Sequence, residues 1–281
     1  MLKSPNPEKL TILPPDKQPL QAHEIAVKAE KGCLILGWYL LCLHCDKWHL
    51  DLAGAAYAIS ADGVLATCFH CITPKGKEMK EGYLIAIDSN GKVLPVISVL
   101  AADGAMDTAI LRIEGEKLSP LPLNDMLAPG DSVFLLSNPL GIFGYFSSGI
   151  VNRFFWINGK AKDSSKLEDV RSLRLNVSTD WAPGSSGAPV LDSCGNVAGH
   201  VATIQPMKEG KKIYAADSKA EKKPTETHQH KDRFDDSALM IIHSAIPARC
   251  LILLVKSMNE ALDLQSGPGA EGANPELQSK G

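Results

Sequence analysis

Residues 54–69 read GAAYAISADGVLATCF and predict a β-hairpin. Two apolar runs flank the dipeptide Asp62-Gly63, and an Asp-Gly pair in that position is a strong hairpin signal. A second hairpin is predicted around Ser89-Asn90-Gly91, between the runs at 83–88 and 92–100. Residues 108–113, TAILRI, alternate and indicate a further strand. We therefore expect the N-terminal half to consist of short antiparallel strands.

The same pattern resumes after residues 114–127, which have the composition of a linker. Predicted strands lie at 132–136, 146–153, 171–178, 188–191, 197–204 and 239–243. Short strands at intervals of roughly 8–12 residues, separated by Gly, Asn and Asp, are typical of all-β barrels and sandwiches. The apolar stretch 27–43, with a Lys-Gly turn inside it, also has the character of strands. Only one convincing helix is expected, over 248–262 after Pro247.

The composition excludes several classes of protein. The chain has 281 residues, of which 44% are hydrophobic and 22% charged, so global disorder is excluded. The net charge of -3 gives no basic excess for nucleic acid. The longest apolar run, 33–43, is shorter than the ~20 residues that cross a membrane. The N-terminus lacks the apolar core of a secretory signal, so we expect a cytoplasmic protein, or a secreted or periplasmic one if a leader is missing.

These patterns predict one folded domain with flexible ends. Residues 1–22 are expected to form an extended arm, and residues 23–262 the domain. Its two halves cover about 23–115 and about 128–247, and the helix covers 248–262. The charged residues 206–237 are expected to form a solvated loop and residues 263–281 a flexible tail.

The segment Pro183-Gly184-Ser185-Ser186-Gly187-Ala188-Pro189 carries the strongest chemical signal. Glycines on both sides of two serines allow a tight turn, which can direct backbone N–H groups to one point. Within the turn Gly184, Ser185 and Ser186, the N–H groups of Gly184 and Ser186 would form an oxyanion hole beside the Ser186 hydroxyl.

A serine hydroxyl needs a base, and His70 follows a predicted strand. Asp107, directly before another strand, is the preferred group to orient it, with Asp103 as a rival. The order His, Asp, Ser is that of the chymotrypsin type of triad. His70 and Asp107 belong to the first half and Ser186 to the second, so the site would lie in the cleft between them.

Several further segments resemble trypsin-like serine proteases, especially the HtrA/DegP branch. The similar segments are 58–67 before the histidine, 102–113 around the aspartates, 129–141, 148–151 and 244–247. The resemblance implies two six-stranded antiparallel barrels and a serine endopeptidase acting on protein or peptide substrates without a cofactor. The sequence departs from the family in carrying Ser185 where Asn or Asp is usual and Ala188 where Gly is usual. It also has a short 180–183 segment, which keeps a catalytically weak, peptide-binding module as the alternative. The expected partners include no nucleic acid and no membrane, and the oligomeric state is not predicted.

Specificity is expected from His200, Val201 and Ala202, which lie on the strand that lines the primary pocket in this fold. A histidine there resembles viral 3C-type proteases and glutamyl endopeptidases, and implies cleavage after Glu or Gln. Asp180, six residues before Ser186, is the competing selector and would favour basic residues.

Two C-x-x-C pairs, Cys42/Cys45 and Cys68/Cys71, leave three alternatives open. Free thiols are preferred, because the second pair brackets His70, which must stay free of metal to act as a base. A disulfide is the next alternative, since some trypsin-like proteases carry a disulfide-bonded Cys directly after the histidine. A zinc cluster of all four cysteines comes last.

Overall fold

A computed structural model describes residues 9–74, 79–114, 117–157, 159–160, 162–207 and 240–266. These residues form two closed barrels, each of six antiparallel strands, followed by a C-terminal helix. The chain therefore has the chymotrypsin-like double-barrel fold that the sequence predicts. Of the predicted charged loop at 206–237, residues 208–237 lie outside the described part of the chain.

The first barrel has the strand order β1-β2-β3-β6-β5-β4. Its strands are β1 (Cys33–Cys42), β2 (Trp48–Ala58), β3 (Val64–Thr67), β4 (Met79–Ile87), β5 (Val93–Asp103) and β6 (Thr108–Ile113). Both predicted hairpins are present, with β2 paired to β3 and β4 paired to β5. The side chains of β3 are all buried, because both of its faces are covered.

The second barrel has the order β10-β11-β12-β9-β8-β7. Its strands are β7 (Ser132–Ser137), β8 (Tyr145–Trp156), β9 (Leu173–Val177), β10 (Pro189–Leu191), β11 (Val197–Met207) and β12 (Met240–Pro247). A short helix, α2 (Leu167–Val170), precedes β9. All six strands overlap predicted ones.

The N-terminal part of the predicted strand region is a helix, α1 (Ala22–Gly32), and β1 begins only at Cys33. A capping box between Gln21 and Glu24 starts the helix, and Ile25 and Ala29 are buried one turn apart. The interpretation of 27–43 as strands around a Lys-Gly turn was therefore wrong for residues 27–32. The buried residues of this segment have helical spacing, and that spacing decides its structure more than its apolar composition does.

The C-terminal helix, α3 (Ala248–Ser266), extends beyond the predicted end at residue 262. It covers the barrels with Leu251 and Val255, which are almost fully buried. The N-terminal arm packs on it, since Asn259 hydrogen-bonds both the N–H and the carbonyl of Leu10. None of the described helices combines the length and the hydrophobicity of a membrane span.

Candidate active site between the barrels

His70 lies in a single 3₁₀ turn, Phe69–Cys71, directly after β3. Its ring Nδ1 is 2.8 Å from Asp107 Oδ2, and its backbone N–H donates to Asp107 Oδ1 at 3.0 Å. The carboxylate therefore holds both the ring and the main chain of the histidine. Nδ1 carries the proton in this pair, so Nε2 is left as the basic nitrogen.

Asp107 stands at the entrance of β6 with a φ of 56°, in the left-handed region that few non-glycine residues adopt. Such backbone strain persists where surrounding contacts impose it, and here it aims the carboxylate at His70. The rival residue, Asp103, has other partners, since it accepts the N–H of Met106 and pairs with Arg171 at 2.7 Å. The structure therefore places Asp107, not Asp103, against the histidine.

The contacts of His70 and Asp107 shift the pKa values of both side chains. Burial acts to raise the pKa of Asp107, but the hydrogen bonds from His70 outweigh it and lower the pKa. The hydrogen bond to Asp107, followed by that to Cys71, raises the pKa of His70 to about 9. The pKa of the Cys71 thiol falls to about 6, chiefly through the hydrogen bond with Cys68 and against the effect of burial. An anionic Cys71 next to His70 favours the imidazolium form.

Ser186 lies where the two barrels meet. Its carbonyl accepts the N–H of Ala55 at 2.7 Å, and Cys71 Sγ lies 3.7 Å from the same oxygen, so Ser186 contacts the neighbour of His70 in the chain. The following residue, Gly187, has a φ of 84°, and a Cβ there would lie 2.2 Å from the Ala55 carbonyl oxygen. Only glycine fits this approach of the two backbones. Among the hydrogen bonds of the described residues, none joins the Ser186 hydroxyl to His70.

The predicted oxyanion hole depends on the backbone of the turn before Ser186. Ser185 N–H donates to the Ala182 carbonyl at 3.1 Å, with Gly184 between them at a φ of 101°. The Pro183 carbonyl accepts from Leu140 N–H at 2.7 Å, which directs the N–H of Gly184 to the opposite side. No hydrogen bond between described residues uses the N–H of Gly184 or Ser186. The N–H of Ser185 is used within the turn, which leaves the N–H groups of Gly184 and Ser186 as the expected oxyanion donors.

The side chain of His200 is buried completely in the interface between the barrels. Nδ1 lies 3.4 Å from Tyr57 Oη, and Nε2 lies 3.4 Å from the Asp107 carbonyl oxygen. Burial lowers the pKa of His200 to about 4, which keeps the ring neutral. Both nitrogens are directed at protein atoms, so His200 supports the strained Asp107 turn and presents neither nitrogen to a substrate.

This burial predicts an acid-sensitive fold. The unfolded chain binds a proton at His200 near pH 6.5, whereas the folded chain does so only near pH 4. Stability is therefore lost as the pH falls from 6.5 to 4, by up to about 1.4 kcal/mol per pH unit for this one group. We expect His200→Asn to flatten the dependence of the free energy of unfolding on pH in that window, measured by urea titration. An unchanged slope would contradict the assignment, and the exposed His23→Asn serves as control.

Of the other predicted pocket residues, Val201 contacts the residue that follows Ser186. Val201 is buried, and its carbonyl accepts the N–H of Gly187 at 2.8 Å and the thiol of Cys68 at 3.0 Å. A β-bulge in β11 at Ala202 interrupts the pairing with β12. Asp180 is exposed, and its carbonyl accepts a hydrogen bond from the Ser147 hydroxyl at 3.2 Å.

The next residue, Trp181, was not singled out from the sequence. It is buried and packs at a tilt of 54° against His243, with ring centroids 4.5 Å apart. The two residues are 62 positions apart in the chain, and nothing in the sequence indicates that they meet.

Two supporting residues of the site were also missed. Tyr57 contacts His200 from the first barrel, and Arg174 reaches the carbonyl of Ala105, two residues before Asp107, from the second. Neither belongs to a motif, since Tyr57 lies in an apolar run and Arg174 in a run with charged residues. Their roles arise from contacts between the barrels, which local patterns do not reveal.

The two C-x-x-C pairs do not converge on one site. Within the described residues, the donor atoms of Cys42, Cys45 and His49 form one group, and those of Cys68, His70 and Cys71 another. The interpretation as a single four-cysteine zinc cluster is therefore wrong. All seven cysteines are free thiols. His70 already uses Nδ1 on Asp107, so metal binding at the second group would remove the base.

Comparison with known proteins gives a family match and several partial relatives. A family described as "Trypsin-like peptidase domain" matches residues 54–199. The putative serine protease HhoB of Synechocystis sp. is 25% identical over 162 residues, covering 56% of this chain and 36% of that protein. "Protease Do-like 1, chloroplastic" of Arabidopsis thaliana is 34% identical over 108 residues, covering 36% of this chain and 23% of that protein. The matched region thus spans about a quarter to a third of these relatives.

Solved structures show the same fold. The structure titled "HtrA-type protease AlgW with decapeptide" superposes with a TM-score of 0.60, at 17% identity. The superposition covers 86% of this chain and 68% of that one. At this identity the similarity supports the double-barrel architecture.

Proposed function

Because the chain belongs to the family of trypsin-like peptidase domains, we propose that it is a serine-type endopeptidase whose catalytic residues are His70, Asp107 and Ser186. The observation that carries the proposal is the Asp107–His70 pair, held at 2.8 Å in the 3₁₀ turn whose last residue contacts the Ser186 backbone. The family supplies the class of reaction, and the contacts of His70 and Asp107 support the proposed residue roles.

In the proposed mechanism, Ser186 Oγ attacks the carbonyl carbon of the scissile peptide bond. His70 Nε2 accepts the hydroxyl proton and later donates it to the leaving amine, while Asp107 stabilises the imidazolium. The N–H groups of Gly184 and Ser186 bind the oxyanion of the tetrahedral intermediate. Water then repeats the sequence on the acyl-enzyme and releases the carboxylic acid product.

We propose that the substrate is an extended peptide or protein segment that pairs with β11. On its β10 side, β11 is paired only over Val197–His200, and Gly187 and Ala188 extend the contact to Val201. Beyond Val201, no described strand covers that edge. A peptide strand can add to such an edge by main-chain hydrogen bonds. This unpaired edge of β11 begins at Ala202, two residues after His200, and leads away from the Ser186 turn.

Primary specificity for Glu or Gln remains a prediction from sequence, without a supporting contact from His200. We expect proteome-derived peptide profiling to give the same residue before the cleaved bond for the wild type and His200→Asn, with a lower rate for the variant. A changed preference in the variant would show that the imidazole contacts the substrate after all.

The alternative of a catalytically weak peptide-binding module is not favoured. The histidine–aspartate pair is formed, and the two proposed oxyanion donors are free of other hydrogen bonds within the described part of the chain. The deciding experiment incubates the full chain with an unfolded protein substrate and identifies new N-termini by mass spectrometry. We expect internal cleavages. Peptides that are retained but remain uncut would favour the binding module.

The pH dependence of the rate offers a separate prediction. Only neutral His70 can accept the serine proton, and its pKa is raised to about 9 by Asp107 and Cys71. The acid limb of kcat/KM is therefore expected above pH 7. Cys71→Ala removes the neighbouring thiolate and should move that limb to lower pH by roughly one unit. The profile is measured between pH 5.5 and pH 10, with Cys194→Ala as control, and an unmoved limb in the Cys71 variant would contradict the coupling.

The expectation of a cytoplasmic protein finds no support among the relatives. One is named chloroplastic, and a DegP-like relative from Chlamydia trachomatis, 27% identical over 150 residues, is named periplasmic. We therefore propose the second location named above, secreted or periplasmic. Fractionation of the native organism tests this, and recovery in the cytosol alone would exclude it.

A further inference from the structure

Three side chains of types that can bind metal ions meet at the tip of the β1–β2 hairpin. They belong to the first barrel and lie outside the proposed triad. Cys42 ends β1, Cys45 lies in the turn and His49 lies near the start of β2. Their donor atoms all lie within 4.8 Å of one another, and Cys45 Sγ is 3.0 Å from His49 Nε2. The catalytic proposal makes no use of these residues.

The backbone of the turn is closed so that it presents the two thiols together. Cys42 N–H donates to the Lys47 carbonyl at 2.9 Å, and Asp46 N–H donates to the Cys42 carbonyl at 3.2 Å. Asp46 adopts a φ of 57°, which completes the turn. These two hydrogen bonds hold Cys42 and Cys45 in one closed turn, next to His49.

We propose that Cys42, Cys45 and His49 bind one Zn²⁺ ion, with a water molecule as the fourth ligand. In a tetrahedral zinc site the sulfur atoms are about 3.8 Å apart and a sulfur and a nitrogen about 3.6 Å apart. The observed separations reach these values with shifts of about an ångström or less. On binding, the thiol protons are released to solvent and no electron is transferred.

The ligand types select zinc among the common divalent cations. Two thiolates and an imidazole suit zinc, whereas Mg²⁺ and Ca²⁺ prefer oxygen ligands. The three residues are accessible, since Cys45 and His49 are exposed and Cys42 is half-buried. A metal ion can therefore enter without opening the barrel.

The site would fix a hairpin tip whose flank is already ordered by aromatic stacking. Tyr39 and Trp48 stack with centroids 4.6 Å apart, and Trp48 lies 6.1 Å from Tyr83 on β4. Lys80, at the start of β4, pairs with Asp46 at 2.6 Å. Zinc would link the turn to β2 through coordination bonds, at a site whose residues are not used by the proposed triad.

The test is metal analysis of the full chain, purified under reducing conditions with added zinc and then dialysed. We expect one zinc per chain, and after replacement by Co²⁺, thiolate-to-cobalt charge-transfer absorption. Cys45→Ser and His49→Ala should each lose the bound metal and the absorption, whereas Cys194→Ser should keep both. These readouts do not require proteolytic activity, so they test the zinc site independently of the proposed function.

Three results would overturn the zinc site. Wild-type protein without stoichiometric metal after zinc loading would be the first. Loss of the metal in Cys68→Ser, with retention in His49→Ala, would place it at the group around His70 instead. A chain two mass units lighter, with Cys42 and Cys45 joined and unable to bind metal after reduction, would identify the pair as a disulfide.

Discussion

Replacing Ser186 by alanine is expected to lower kcat/KM for peptide cleavage by about 10⁴-fold or more. The reason is that no other hydroxyl can take its place at the turn. The adjacent Ser185 is buried, and its Oγ bonds Ser137 Oγ at 3.1 Å. The fold should persist, since the Ser186 carbonyl, and not its side chain, contacts Ala55 and Cys71.

The assay compares initial rates on a fluorogenic peptide chosen from the cleavage profile. Ser193→Ala, at an exposed serine in the turn between β10 and β11, is the matched control and should retain wild-type activity. Thermal unfolding of both variants shows that the chains remain folded. A Ser186→Ala variant within tenfold of the wild type would refute its role as nucleophile.

Asp107→Asn is expected to lower kcat/KM by about 10⁴-fold at pH 7. An amide can donate to Nδ1 and thereby place the imidazole proton on Nε2, where it blocks removal of the serine proton. Asparagine tolerates the positive φ of this position, so the main-chain conformation should survive. The loss of the carboxylate also removes the main cause of the raised pKa of His70, which should shift the acid limb of the rate downwards.

The matched control is Asp103→Asn, the neighbouring carboxylate that bonds Met106 and Arg171. We expect Asp103→Asn to lower the free energy of unfolding but to change kcat/KM only slightly, because the contacts of Asp103 hold the turn and do not reach His70. If Asp103→Asn cost more activity than Asp107→Asn, the assignment of the orienting carboxylate would be wrong. Both rates are measured on the same peptide across the pH range.

The strands and hairpins were predictable because their signals are local. Asp62-Gly63 and Ser89-Asn90-Gly91 specify turns through backbone preferences that need no tertiary context. Helix α1 was not predicted, because the helical spacing of Ile25 and Ala29 is short and leads directly into the apolar residues of β1. The closure of the strands into two six-stranded barrels was expected only from the resemblance to a family.

The sequence predicts only those residues of the site that belong to its ordered motifs. His70 and Asp107, 37 residues apart, were identified because each follows or precedes a strand, and the structure joins them by hydrogen bonds. The surroundings of His200 depend on which face of β11 it occupies, and a shift of one residue reverses that face. The hairpin that pairs β1 with β2 brings His49 to Cys45, a partner that the C-x-x-C spacing by itself does not identify.

In the proposed mechanism, His70 activates Ser186 beside the two oxyanion donors of the same turn. The most direct measurement is labelling of the folded full chain with a fluorophosphonate, followed by mass spectrometry of the modified peptide. The proposed site predicts a single phosphonylated residue, Ser186, and labelling that is slowed strongly in His70→Ala. Labelling at another residue, or at an unchanged rate without the imidazole, would contradict it.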